Sequence, residues 1–352
     1  MQGMEEARTS IAGDRSFVLL RNRLQSLGYL KKEARPVIIQ MLTFIALMLL
    51  GTAGVAFGGL WLGAASFLLL LCSTLGLATT THTASHQAAS HKRWVNSSLT
   101  HLGYPFFLGL SAGFWHRRHL QLHHAHPNVV GIDEDIEQRP VLLLVKDHLE
   151  AVSRWGQLWY RVSRFLLPVL VLGNGPSMQL SSLTWAARQL SPKRLRWTSV
   201  ADALALLGHY VLWVGLPMLY FEAWQVIVFN LAWSAGTGYL LYCTFVPAHL
   251  PEEAIFIAPS VGGDYVMKQT ATTINFRAGK LHSFLLGGLQ YQIEHHLFPG
   301  ASHNQLAAIS EHVEAFCKAH GYPYRTLSYW EALWKATLCF FQPKEIQALP
   351  KL

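Results

Sequence analysis

PVIIQMLTFIALMLLGTAGVAFGGLWLGAASFLLLLCSTLGLATTT, residues 36–81, runs for 46 positions without a Lys, Arg, Asp or Glu. A helix needs about 20 apolar residues to cross a bilayer, so the tract is long enough for two crossings that turn at Gly58–Gly59. The pattern returns later, since between Ala203 and Pro251 the only formal charge is Glu222. Together the tracts predict an all-α integral membrane protein with four transmembrane helices in two hairpins, near 36–57, 60–80, 203–221 and 223–246. Buried helices of a large soluble core are the competing explanation, and two uncharged tracts of this length argue against it. Composition agrees: 51% of the 352 residues are hydrophobic and 14% charged, against about 25% charged in an ordinary soluble domain.

Basic residues collect on the cytoplasmic side of membrane proteins. Residues 1–35 carry seven, and 82–200 carry thirteen, among them Lys92, Arg93, Arg117, Arg118, Lys193, Arg194 and Arg196. The turns near 58 and 222 carry none. The N-terminal segment 1–35, the 82–200 region and everything after about 250 are therefore expected on the cytoplasmic side, both termini included. The first 35 residues are too polar for a secretory signal, and no repeat or linker divides residues 36–352, which read as one membrane domain. The net charge of +8 suits loops facing anionic headgroups and an acidic redox partner, and is no argument for nucleic acid. Residues 99–115 read as a short interfacial or re-entrant helix, Trp159–Leu172 as an amphipathic surface piece, and 303–319 and 326–341 as helices of a cytoplasmic cap. Cys72, Cys243, Cys317 and Cys339 form no CxxC pair, so neither a disulfide nor a thiolate-bound metal is expected.

Histidine carries the chemical information. Nine of the 18 lie between His82 and His126. His82 and His86 are four apart, which places both on one helix face. His119 and His123 repeat that spacing with His124 beside them, and a third cluster reads Gln292-Ile-Glu-His295-His296. His249 ends the last apolar tract, level with the clusters. Imidazole suits Fe, Zn, Cu and Ni, and eight histidines without cysteine exceed the four ligands of a structural zinc site. His82, His86, His119, His123, His124, His249, His295 and His296 are therefore the candidate ligands of a di-metal site. Gln292 reads as a residue that orients a ligand, because an amide binds iron poorly. His91, His101, His116 and His126 fit no ligand spacing, His282 stands open between ligation and a surface role, and His209 reads as packed within a span. His148, His303, His312 and His320 read as surface residues.

HTASH (82–86), HLQLHH (119–124) and QIEHH (292–296) resemble the three histidine boxes of the membrane fatty-acid desaturases, closest to the front-end and acyl-lipid subgroup whose third box begins with Gln. The surroundings resemble that family too: Trp115 to His126, Pro127-Asn128-Val129, Asp133-Glu134-Asp135-Ile136, Gly287 to Tyr291, and Leu297-Phe298-Pro299. The likeness runs from about residue 40 to about residue 330 and includes Gly321-Tyr322-Pro323-Tyr324. It implies four spans, two iron ions (Fe2+) on the box histidines, and O2-dependent removal of two hydrogens from an acyl chain. His249 resembles the extra histidine found after the last span, and Asp133 and Asp135 fall where acids would hold ligands in place. Thr83 departs from the pattern, since many relatives carry an acid there. The His-Pro-Gly-Gly signature of a fused cytochrome b5 domain is absent, so electrons are expected from a separate ferredoxin or cytochrome b5-like donor.

The expected function is thus the desaturation of an acyl-chain lipid lying in an apolar tunnel that excludes water. One fold and one site can host several oxidations, so hydroxylation, acetylenation and oxidative decarboxylation are competitors. A membrane metal carrier or haem protein is a remoter alternative, since it would place its ligands within the spans.

Overall fold

The computed structural model describes residues 15–350; Arg8, counted above toward the topology, lies outside them. Four helices are long and apolar enough to cross a membrane: Ala34–Phe57, Leu60–Ser85, Trp197–Leu219 and Ala223–His249. The first two are joined by Gly58–Gly59 and lie against each other through small residues. A Cβ on Gly51 would stand 2.9 Å from the backbone of Leu70 and Ser66, and one on Gly76 would stand 2.2 Å from the Phe44 ring. Without a hydrophobic force between helices in lipid, such close approach supplies the packing contacts that hold them.

All four expected spans are too short, the first by two residues at its start, and the third also ends at Leu219 rather than 221. The second helix continues five residues beyond its predicted end, because its threonines satisfy their own hydroxyls. Thr80 and Thr81 donate to the carbonyls of Gly76 and Leu77 at 2.7 Å, so a polar run stays helical and buried. This extension puts His82 in the last turn. The third helix begins at Trp197 rather than 203 because the buried Asp202 is fully engaged. Its carboxylate accepts from the Ser111 hydroxyl at 2.5 Å and the Ala112 amide at 2.8 Å. This helix is also irregular, passing through a π turn at Val211–Gly215 where Asn230 Nδ2 donates to the Trp213 carbonyl at 2.9 Å. Irregular backbone at membrane depth is tolerated when buried groups replace the lost bonds. The fourth helix opens on a capping box between Glu222 and Gln225 and reaches His249, three residues past its expected end.

Between the second and third long helices the chain is mostly short helices. Arg93–His101 runs into a π-helix, Leu102–Leu108, that stops at Gly109 in the left-handed region at φ 66°. A Cβ there would meet the buried ring of His209 at 2.7 Å, and His209 Nδ1 lies 3.1 Å from the Phe106 carbonyl. Ala112–Trp115 and a second π-helix, His116–His123, carry the second histidine cluster. The amphipathic stretch is two pieces, Arg154–Ser163 and Leu167–Leu172, with Trp155 of the first and Phe165 of the turn between them exposed.

The fold is not purely helical. Asn275–Arg277 pairs in parallel with Thr326–Ser328, Phe276 opposite Leu327. Three-residue strands are too short to leave a period-2 signature, which is why the pattern did not betray them. Tail helices Leu306–His320 and Tyr329–Leu338 complete the fold. The first packs Leu306, Ile309 and Val313 under Ile293 and Leu297, the helix of the third histidine cluster.

The helix Asn174–Gln189 crosses the fourth long helix where Gly238 meets Gly175; a Cβ on Gly238 would fall 2.2 Å from the Gly175 backbone nitrogen. Gly238→Ala is expected to destabilise by about 1–3 kcal/mol, the usual range for overpacking. Gly59→Ala, with nothing within 4 Å, should leave the thermal midpoint in detergent unchanged. Equal midpoints for the two variants would refute the crossing.

Candidate metal centre

Two histidine-bearing helix ends, a π-helix and one short helix converge here. The last turn of the second long helix supplies His82, and His86 caps it. The last turn of the fourth supplies His249. The π-helix and its cap bring His119, His123 and His124, and Gln292–Leu297 brings His295 and His296. All eight are buried.

They divide into two sets whose nitrogens lie within 4.8 Å of one another: His82, His86, His119, His124 and His295, and then His123, His249 and His296. The i, i+4 spacing placed His119 and His123 on one helix face. The structure puts them in different sets because the helix there is π, bonded i to i+5; the His124 amide donates to the His119 carbonyl at 2.9 Å. His119 and His124 thus share a side, and His123 turns toward His249, with ring centroids 4.6 Å apart. A third, overlapping set joins His119 and His123 to Asp135 at the exposed edge. The two main sets touch where the His124 and His296 rings stack at 4.3 Å.

The donor chemistry fits metal ions. His119 Nε2 lies 2.7 Å from His82 Nε2 and 3.1 Å from His124 Nε2, which is also 3.0 Å from His295 Nε2. Each Nε2 offers one proton or one lone pair, so at most two of these three close contacts can be hydrogen bonds. Among the described residues, His86 Nε2, His249 Nδ1 and His296 Nε2 are buried without a partner. Burial, followed by the charges of neighbouring imidazoles, pushes His86 down to about 3 and holds His119, His124, His295 and His296 well below the usual histidine range. Such shifts favour the neutral ring, the state a metal requires. His123 differs: burial opposes its charge, but Asp133 and then Asp135 more than offset this and raise it.

The residues read as orienting ligands lie beside these rings. Asp133, fully buried, accepts from His123 Nδ1 at 3.0 Å and from the Asn128 amide at 2.8 Å. Asp135 accepts from Arg118 at 2.9 Å and stands 3.5 Å from His123 Nδ1. Gln292 Nε2 lies 2.9 Å from His249 Nε2. Two residues escaped the sequence reading as supports. Asn128, left-handed at φ 54°, donates through Nδ2 to the carbonyls of His249, Ile255 and Thr272 at 2.9, 3.2 and 3.0 Å. Gln269 contacts both sets. A non-glycine residue at positive φ is uncommon, and Asn is among those that tolerate it, but only the fold reveals that conformation.

His303 corrects the sequence reading. It is buried, with Nδ1 2.7 Å from the Thr83 hydroxyl and Nε2 2.7 Å from Gln40 Oε1, and burial pushes it down to about 4. Its polar neighbours in sequence imitate a surface turn; the tail folding onto the first two long helices buries it. His282 is half-buried, its ring 4.5 Å from that of Tyr329, and belongs to neither set. His91, His101, His116 and His126 also lie in neither.

A cavity of about 530 Å³ runs past His119, His123 and His249 between Trp115, Met178, Leu241 and Phe245. The last four also line a narrower space of about 50 Å³ that continues to Thr74 and Trp233 between the long helices. Trp115 stacks on His119 at 4.4 Å.

Four long apolar helices and two buried histidine sets able to bind metal define a membrane protein of the histidine-cluster kind. The chain belongs to the fatty acid desaturase family, which matches residues 59–328. It is 31% identical over 263 residues to a Delta(5) fatty acid desaturase of Caenorhabditis elegans, covering 72% of this chain and 57% of the relative. An acyl-lipid (9-3)-desaturase of Physcomitrium patens is 30% identical over 260 residues, 70% of this chain and 47% of the relative. A Delta(8)-fatty-acid desaturase of Borago officinalis is 27% identical over 330 residues, 89% of this chain and 71% of the relative. The likeness lies with the front-end and acyl-lipid subgroup, and the chain spans about half the length of the first two relatives.

Asn128→Ala is expected to destabilise by about 1–3 kcal/mol, because buried carbonyls lose their donor. Differential scanning fluorimetry in detergent reads this; an unchanged midpoint would show that the three carbonyls find other donors.

Proposed function

We propose that this chain is an O2-dependent desaturase that inserts a carbon–carbon double bond into the acyl chain of a membrane lipid. Two iron ions would be held by His82, His86, His119, His124 and His295 and by His123, His249 and His296. Supporting this reading above all is the juxtaposition of two buried, all-imidazole sets with a largely apolar cavity. The helices are read as two hairpins with the centre and helical cap on the cytoplasmic side, where both termini also lie and where a separate ferredoxin or cytochrome b5-like protein delivers electrons.

When bound, the irons supply the oxygen activation needed to break an unactivated C–H bond. The protein's own part is positional. Trp115 and Phe245 wall the cavity beside His119 and hold an extended acyl chain against the centre while shedding water. Asp133 keeps the proton of His123 on Nδ1 and so leaves Nε2 bare. Asn128 anchors the His249 end of the fourth long helix to the loops around it.

Expression in a host whose fatty acids are then profiled by mass spectrometry should show a new double bond. Purified protein should carry about two irons per chain, as eight imidazoles permit. His123→Ala, His296→Ala and His249→Ala are each expected to drop product to background with membrane expression retained, and His312→Ala to leave it unchanged. Normal product from His249→Ala with full iron would remove that residue from the ligand set; a single four-coordinate zinc would overturn the di-iron reading.

A further inference from the structure

Gln269 lies on the short helix Tyr265–Ala271, outside every histidine motif, and is 2% exposed. Its Nε2 donates to the backbone carbonyl of His124 at 3.1 Å, and its Oε1 stands 2.8 Å from His296 Nδ1. A carbonyl can only accept, so the amide nitrogen must face His124 and the oxygen must face His296. His296 Nδ1 must then carry the ring proton, which leaves Nε2 with a bare lone pair. That atom is buried and has no partner among the described residues. Its ring lies 5.1 Å from each of His123 and His249, centroid to centroid.

The helix that carries the amide is itself held firmly. Asp264 caps its helix through the Val266 amide, Tyr265 donates to the His296 carbonyl at 2.8 Å, and Thr273 donates to the Gln269 carbonyl at 2.6 Å. One side chain thereby ties the backbone of the five-histidine set to a ring of the three-histidine set. The two sets do not depend on it equally. His124 contributes only a carbonyl, whereas His296 depends on it for its tautomer and ring plane. Three imidazoles leave less redundancy than five.

We propose that Gln269 is a positioning residue that fixes the tautomer of His296 and thereby controls metal occupancy of the His123–His249–His296 site, leaving the five-histidine site unaffected. This rests on reading the two sets as metal sites. Groups that orient a ligating imidazole typically contribute 10–100-fold to metal affinity, so Gln269→Leu should weaken one ion by about that factor. Gln269→Glu keeps an acceptor for His296 Nδ1 and loses only the donor to His124, so it should retain both ions.

The test uses the full chain in detergent, stripped and reloaded anaerobically with ferrous iron. Ions per chain are counted, and affinity is read by competition with a chelator. Two ions in the wild type and in Gln269→Glu, with one retained and one weakened in Gln269→Leu, is the expected pattern. The retained ion reports that the variant is folded. Gln269→Leu added to His249→Ala should remove no further ion, because both changes act on the same site. Wild-type affinity for both ions in Gln269→Leu overturns the proposal, as does loss of both ions or equal loss in Gln269→Glu. A wild type that binds no ion at all overturns the metal reading itself, an outcome distinct from these.

Discussion

Imidazoles crowded out of water must stay uncharged and aimed inward, and much of the surrounding structure answers to that demand. Burial strips solvent from the rings and their mutual repulsion disfavours protons, so most are held neutral without any dedicated base. Aim is a separate problem, because a neutral imidazole exposes its lone pair on only one of two nitrogens. Acceptors placed on Nδ1 solve it: a carboxylate for His123 and an amide oxygen for His296. The carboxylate is itself quieted by the backbone amides of Asn128 and Asp135.

Such a centre also needs precise helix ends. The second and fourth long helices deliver histidines from their final turns, so any slip along either axis would displace a ring. Glycines against backbone at Gly51 and Gly238 leave little room for slippage. The buried Asp202 ties the third long helix to the segment just before the second histidine cluster, through the Ser111 hydroxyl and the Ala112 amide. A carboxyl group inside an otherwise apolar stretch thereby finds local hydrogen-bond donors and acts as a tether.

Much of the fold was legible because lipid imposes a strict rule: forty-six residues without formal charge leave few alternatives. Part of what escaped was local. A polar Thr79-Thr80-Thr81 run looks like the end of a span until its hydroxyls are seen to bond backward along the helix. The division of the second histidine cluster depends on a π turn, and nothing in HLQLHH distinguishes i+4 from i+5 bonding. His303, Asn128 and Gln269 were misjudged or passed over because their roles arise from contacts across 27 to 263 residues. Single-chain spacing is blind to such contacts. The family boxes pointed to the rings and to Gln292, Asp133 and Asp135 beside them, whereas the contacts of Asn128 and Gln269 emerged only from the fold.

Both sets take their last member from one peptide link, His295 to His296, whose rings diverge at 87°. During synthesis neither pocket can close until the ribosome has passed residue 296, by which time all four long helices have been made. Before that moment the nascent protein presents only partial imidazole sets. Closing both pockets with one late dipeptide shortens the interval in which one is finished and the other is not.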